Sequence, residues 1–125
     1  EKLNVPEAYP YSIHLRVELE VLRGDAGKAL SVYNTGRDIA ESGVNNSPNL
    51  WLMLGIAAMY LGHLDEAIEL FNRSFEDGAV GVILVRSFIT SWPSLTQGHG
   101  PALMAHPGFQ TFLKRMNLDG GVGGD

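Results

Sequence analysis

Apolar and polar positions fall into helical periods over most of this chain, most clearly in residues 49–78. Leu50, Trp51, Leu52, Met53, Leu54, Gly55, Ile56, Ala57, Ala58, Met59, Tyr60 and Leu61 follow one another without a charge. A helix that is apolar all round must be covered on more than one side. At about a dozen residues it is too short to cross a bilayer, which needs roughly 20. The next stretch places Leu64, Ala67, Ile68, Phe71 and Phe75 at helical spacing, with Asp65, Glu66, Glu69, Asn72 and Arg73 on the other face. Two antiparallel helices joined by the tight turn Leu61-Gly62-His63 are therefore predicted. Such a hairpin cannot bury itself alone.

The pattern elsewhere is less uniform. Residues 1–11 hold Pro6 and Pro10 and read as an extended lead-in or a short first turn. From Ile13 to Val21 apolar and polar residues alternate, as in a strand. The same residues form two helical rows, Ile13/Val17/Val21 and Leu15/Leu19/Leu22, suited to a helix sandwiched between neighbours. A second helix is predicted over residues 26–41. Gly24, Ala26, Ala29, Leu30, Tyr33 and Gly36 stand 38 positions before Gly62, Leu64, Ala67, Ile68, Phe71 and Ser74. This internal repeat favours the helical reading of residues 12–23. Ser47-Pro48 opens the next helix, with Ser as N-cap and Pro at the first helical position. After Asp77-Gly78, residues 79–89 are β-branched but fit best as the first helix of an incomplete third unit. Trp92-Pro93 ends it, residues 96–101 form a loop and 102–104 a short turn. His106-Pro107-Gly108 leads to a last helix with Phe109, Phe112, Leu113 and Met116 on one face. Residues 120–125, four of them glycine, form a flexible tail.

The hairpin matches a known pattern. Trp51-x2-Leu54-Gly55, then Gly62, then Ala67-x3-Phe71 resembles the tetratricopeptide repeat. Small residues at 55 and 67 suit two helices that cross closely, with Trp51 and Phe71 filling the space on either side. Ala58 stands where the family usually has Tyr, and Ala79 where it has Pro. The first unit keeps Gly24, Ala29 and Tyr33 but has Ile13 and Val17 in place of the family's Trp and Gly. The closing segment, Trp92-Pro93-x-Leu95 with Leu103-x2-His106-Pro107-x-Phe109-x2-Phe112-Leu113-x4-Leu118, resembles the end of some bacterial tetratricopeptide arrays on adenylate-cyclase-like and winged-helix regulatory proteins.

That resemblance implies an all-α fold: a right-handed α–α superhelix of about two hairpins, residues 12–42 and 49–78, closed by a helical cap over 79–118. Residues 1–119 would form one domain. The resemblance also implies a non-catalytic module that binds a peptide, a partner helix or its own copy on the concave side of the superhelix. Matched position by position, that face is Asn49, Leu52, Met53, Ile56, Met59 and Tyr60, with Tyr11, His14 and Glu18 from the earlier unit. Some family members clamp a terminal carboxylate with Lys, Arg and Asn; His14, Glu18, Leu52 and Ile56 stand there instead and make that ligand a poor fit. Two outcomes stay open for the face: an open apolar groove, or cover by the lead-in or by the segment from Trp92 to Phe112. A second functional reading is a sensor or accessory domain holding an apolar ligand among Trp51, Met59, Tyr60 and Trp92.

Charge and composition narrow the classes. The 125 residues carry a formal charge of -5, with 45% hydrophobic and 18% charged residues, an ordinary balance for one globular domain. Nucleic acid calls for a basic stripe, and an anionic membrane for a polybasic cluster; neither is present. There is no cysteine, hence no disulfide or thiolate metal site. His14, His63, His99 and His106 include no i, i+4 pair and no H-E-x-x-H, so no metal site is expected. Asp65, Glu66 and Glu69 read as a solvated face rather than a catalytic pair. Gly98-His99-Gly100 and the terminal glycines lack the context of a phosphate loop. Ser87, Ser91 and Ser94 lack that of a nucleophile elbow. No enzyme motif and no cofactor are expected. No signal peptide or spanning helix is visible, which favours the cytoplasm, and a first residue other than Met suggests a piece of a longer protein.

Overall fold

The computed structural model describes residues 9–43, 48–78, 85–91 and 98–116. Every regular element among them is a helix: α1 (Tyr9–Leu22), α2 (Ala26–Glu41), α3 (Pro48–Tyr60), α4 (Leu64–Glu76), α5 (Val85–Ser91), α6 (Gly100–Ala105) and α7 (Pro107–Arg115). Residues 13–21 are helical throughout, so the strand alternative falls. α1 runs from Tyr9, within the stretch expected to be an extended lead-in or a short first turn. Pro10 sits in its first turn, where a missing N–H costs no hydrogen bond. The turn expected at 102–104 is instead the six-residue α6, which also takes in Gly100 and Pro101. The cap expected at Ser47, the segment 79–84, Trp92-Pro93 and the glycine tail lie outside the described residues.

The 38-residue repeat is visible in the backbone. Gly24 and Gly62 both have φ +81°, a left-handed conformation that glycine adopts without steric cost. Each donates to the carbonyl three residues back, Val21 and Met59, at 3.0 Å. The next N–H reaches five residues back, Asp25 to Glu20 and His63 to Ala58, both at 2.9 Å. Ala29 and Ala67 then donate to the carbonyls of Asp25 and His63, at 3.0 and 2.9 Å. The turns differ in their caps. The Asp25 side chain accepts from the Lys28 N–H at 2.9 Å, whereas the His63 side chain makes no capping bond. Burial repeats as well: Ala29 and Ala67, Tyr33 and Phe71, Gly36 and Ser74 are all buried.

α3 is the centre, with α1, α2 and α4 packed around it. This accounts for its lack of charge. Leu50, Leu54, Ala57, Ala58 and Met59 are completely buried, and an ionised side chain at any of them would have no solvent. A β-carbon added to Gly55 would stand 2.6 and 2.7 Å from the Phe71 ring and 3.4 Å from the Ala67 carbonyl oxygen. The small residue is what lets α3 and α4 cross.

α7 closes the far side of α4. Its Phe109 and Phe112 rings lie 6.3 and 6.0 Å from Phe71, and Phe112 meets Phe75 edge-on at 6.4 Å. Phe109, Phe112, Leu113 and Met116 are buried, as their spacing predicts. His106 ties the two helices together. Its Nδ1 accepts from the Gly108 N–H at 2.9 Å, which puts the ring proton on Nε2, 2.7 Å from Asp65 Oδ1. Arg115 bonds Glu76 at 3.1 Å and Asn72, and lies over the Phe75 ring.

Candidate interaction surface

The residues expected to line a concave face do not form an open one. Leu52, Ile56, Met59 and Tyr60 are buried, at 5%, 6%, 0% and 4% exposure. Met53 is half-buried and Asn49 exposed. The reason lies in α3 itself: a central helix packed by three others has no free apolar side. His14 and Glu18 are partly exposed on α1; the side chain of Tyr11 and all of Trp92 lie outside the description. The described members of the set proposed for an apolar ligand, Trp51, Met59 and Tyr60, are buried as well. Trp51 and Met59 are at 6% and 0% exposure, and the Arg73 guanidinium covers the Trp51 ring at 3.7 Å.

The open apolar surface is on α1. Ile13 and Val17 face inwards at 0% exposure, whereas Leu15, Leu19 and Leu22 are 49%, 46% and 67% exposed, and Leu30 of α2 is 40% exposed. Sequence alone shows both rows; it does not show that only one has a neighbour. The repeat supplies the contrast. Ala57 and Tyr60, 38 positions after Leu19 and Leu22, are at 0% and 4% exposure, because α3 has helices on more sides than α1. Ile68, the counterpart of Leu30, is 8% exposed, beside Gly108 of α7.

Beside this row, between α1 and α2, Arg16, Leu19, Glu20, Arg23, Lys28 and Val32 line a hollow of about 260 Å³. Glu20 is buried at 7% exposure, with its Oε2 3.4 Å from Arg23 and 3.9 Å from Lys28. A buried carboxylate without such partners would be costly. Arg23 and Lys28 keep 59% and 62% of their side chains exposed.

The two hairpins are joined by a polar cluster. The Tyr33 hydroxyl and the Arg37 guanidinium both donate to Glu66 of α4, and Arg37 also reaches Glu41 at 2.7 Å. Burial, then the bond to Glu66, raises the Tyr33 hydroxyl far above the usual phenol range. The phenol stays neutral and serves as a donor.

His14 makes the chain sensitive to acid. Burial holds its imidazole below the ordinary value of 6.5, against an opposing pull from Glu18. Its Nδ1 is buried with no hydrogen-bond partner among the described residues. The unfolded chain takes up this proton first as pH falls. Stability from His14 is therefore complete above about 6.5 and declines below it, down to the lowered folded value. Urea midpoints should drop between about pH 7.5 and 5, and His14→Leu should flatten part of that slope. An unchanged slope in the variant would remove His14 as its source.

Among the described residues no group of three or more His, Asp or Glu is placed to hold a metal ion, and no helix is long and apolar enough to cross a membrane. Comparison with protein-family models, curated proteins and solved structures finds no match to this chain.

Proposed function

We propose that this chain is a non-catalytic protein-interaction module, a tetratricopeptide-like stack of two hairpins with a helical cap, that binds a helical segment of a protein on the outer face of α1. One observation carries the reading: Leu15, Leu19 and Leu22 form a row at helical spacing that stays about half exposed on a helix whose opposite side is buried at Ile13 and Val17. Scattered exposed leucines are ordinary, but a contiguous row is the kind of patch that marks an interface. The repeat supports it further at two of the three positions: Ala57 and Tyr60, the α3 equivalents of Leu19 and Leu22, are buried, while Met53, that of Leu15, is half-buried.

Magnitudes set the strength of such an interaction. Covering the exposed half of each leucine is worth roughly 1 kcal/mol, and lost translational and rotational freedom costs at least about 4. The leucine row alone gives weak binding, and the polar rim decides which partner gains.

The test uses the intact chain and a Leu19→Gln/Leu22→Gln variant, immobilised and exposed to extracts of its host, with retained proteins quantified by mass spectrometry. Both side chains are substantially exposed, so the variant should keep its helical spectrum and melt close to the parent. A set of proteins retained by the parent and lost from the variant is the expected result. Equal sets for the two would remove the leucine face as the binding surface.

A further inference from the structure

The hollow beside the leucine row indicates what kind of helix fits there. The chain as a whole is acidic, with 9 Lys and Arg against 14 Asp and Glu, yet three of those nine, Arg16, Arg23 and Lys28, line this one hollow. The single carboxylate in it, Glu20, is buried and already held by Arg23 and Lys28. The lining thus holds three cations against one carboxylate, next to Leu19 and Val32, with the Asp25 carboxylate at the adjoining turn bonded to the Lys28 N–H.

The internal repeat gives the same answer independently. Glu66 of the second hairpin accepts from Tyr33 and Arg37 of the hairpin before it. The residue 38 positions earlier is Lys28. A helix seated against the first hairpin as α2 is seated against the second meets a cation where α2 meets a carboxylate. Pairing there requires an acceptor that carries negative charge.

Resting on the interaction reading above, we infer that the outer face of α1 with the adjoining α1–α2 hollow docks an acidic amphipathic helix of a partner protein, leucine-like residues on Leu15, Leu19 and Leu22 and carboxylates towards Arg23 and Lys28. Apolar contact holds the helix, and the charges select it over a basic one of the same shape.

The probes are two synthetic helical peptides with identical leucine spacing, one flanked by glutamate and one by lysine, titrated by fluorescence anisotropy into the full chain. The glutamate peptide should bind about tenfold more tightly, and the preference should shrink as salt is raised, since exposed charges are screened. Lys28→Gln leaves Glu20 its contact with Arg23 and should weaken the glutamate peptide severalfold. The Leu19→Gln/Leu22→Gln variant should release it. Equal binding of both peptides, lost in the leucine variant, would overturn the charge assignment and leave the interaction reading standing. Binding of neither peptide would overturn both. A dimer in sedimentation equilibrium that the leucine variant abolishes would give the face to a second copy and overturn the acidic-helix assignment.

Discussion

Gly55→Ala should destabilise the chain by about 2 kcal/mol and Gly55→Val by more, where helix propensity alone would predict a gain of up to about 1 kcal/mol for alanine. The new β-carbon would stand 2.6 Å from Cε1 of Phe71. Whether that is tolerable depends on whether the ring can move. Phe71 is completely buried, with Phe109 and Phe112 packed against it from α7, so a shift must pass through the cap. Gly36 makes the control. A β-carbon there approaches Ile13 Cδ1 and Leu54 Cδ2 at 3.0 Å. Those atoms are the ends of flexible side chains, and Gly36→Ala should cost less. Urea denaturation of the two alanine variants checks the order. A Gly55→Ala chain as stable as the parent would mean that α3 and α4 do not cross so closely.

Ile56→Asp should abolish the fold at neutral pH. Ile56 is 6% exposed on the central helix, and Asp there places an ionised carboxylate in a position nearly closed to solvent. An isolated buried charge costs several kcal/mol even after relaxation, an amount comparable with a small domain's whole stability of about 5–15. Partial rescue at low pH, where the carboxyl is neutral, would carry the signature of that cause. Far-UV circular dichroism of the purified variant reads the outcome. A native helical spectrum with a melt near the parent's would place Ile56 on an open groove after all.

Much of the helical layout was legible in the sequence. Residues 64–76 have one apolar and one charged face, so type and orientation follow together. The 38-residue offset identified the shared turn at Gly24 and Gly62, because only a few residues tolerate that backbone and the helices after it bury the same positions. The close approach at Gly55 and Ala67 was legible for the same reason: size is written in the residue. The binding face was not. α3 is apolar on every side, and periodicity cannot tell an apolar groove from an apolar core. Conversely, Leu15, Leu19 and Leu22 form as regular a row as Ile13 and Val17, and only the packing shows which row lacks a neighbour. The clustering of Arg16, Arg23 and Lys28 depends on the angle between α1 and α2 and has no sequence signal of its own. Nor did the lead-in prolines mark the start of α1, since a proline in the first turn is as compatible with a helix as with an extended chain.

The central claim is that the apolar face of α3 is closed and that of α1 open. The most direct measurement is the urea midpoint of Leu19→Asp beside Ile56→Asp, the same charge placed on the two faces in turn. Leu19→Asp is expected within about 1 kcal/mol of the parent, as for surface substitutions, while Ile56→Asp shows no folding transition. A folded Ile56→Asp chain, or one collapsed by Leu19→Asp, would contradict it.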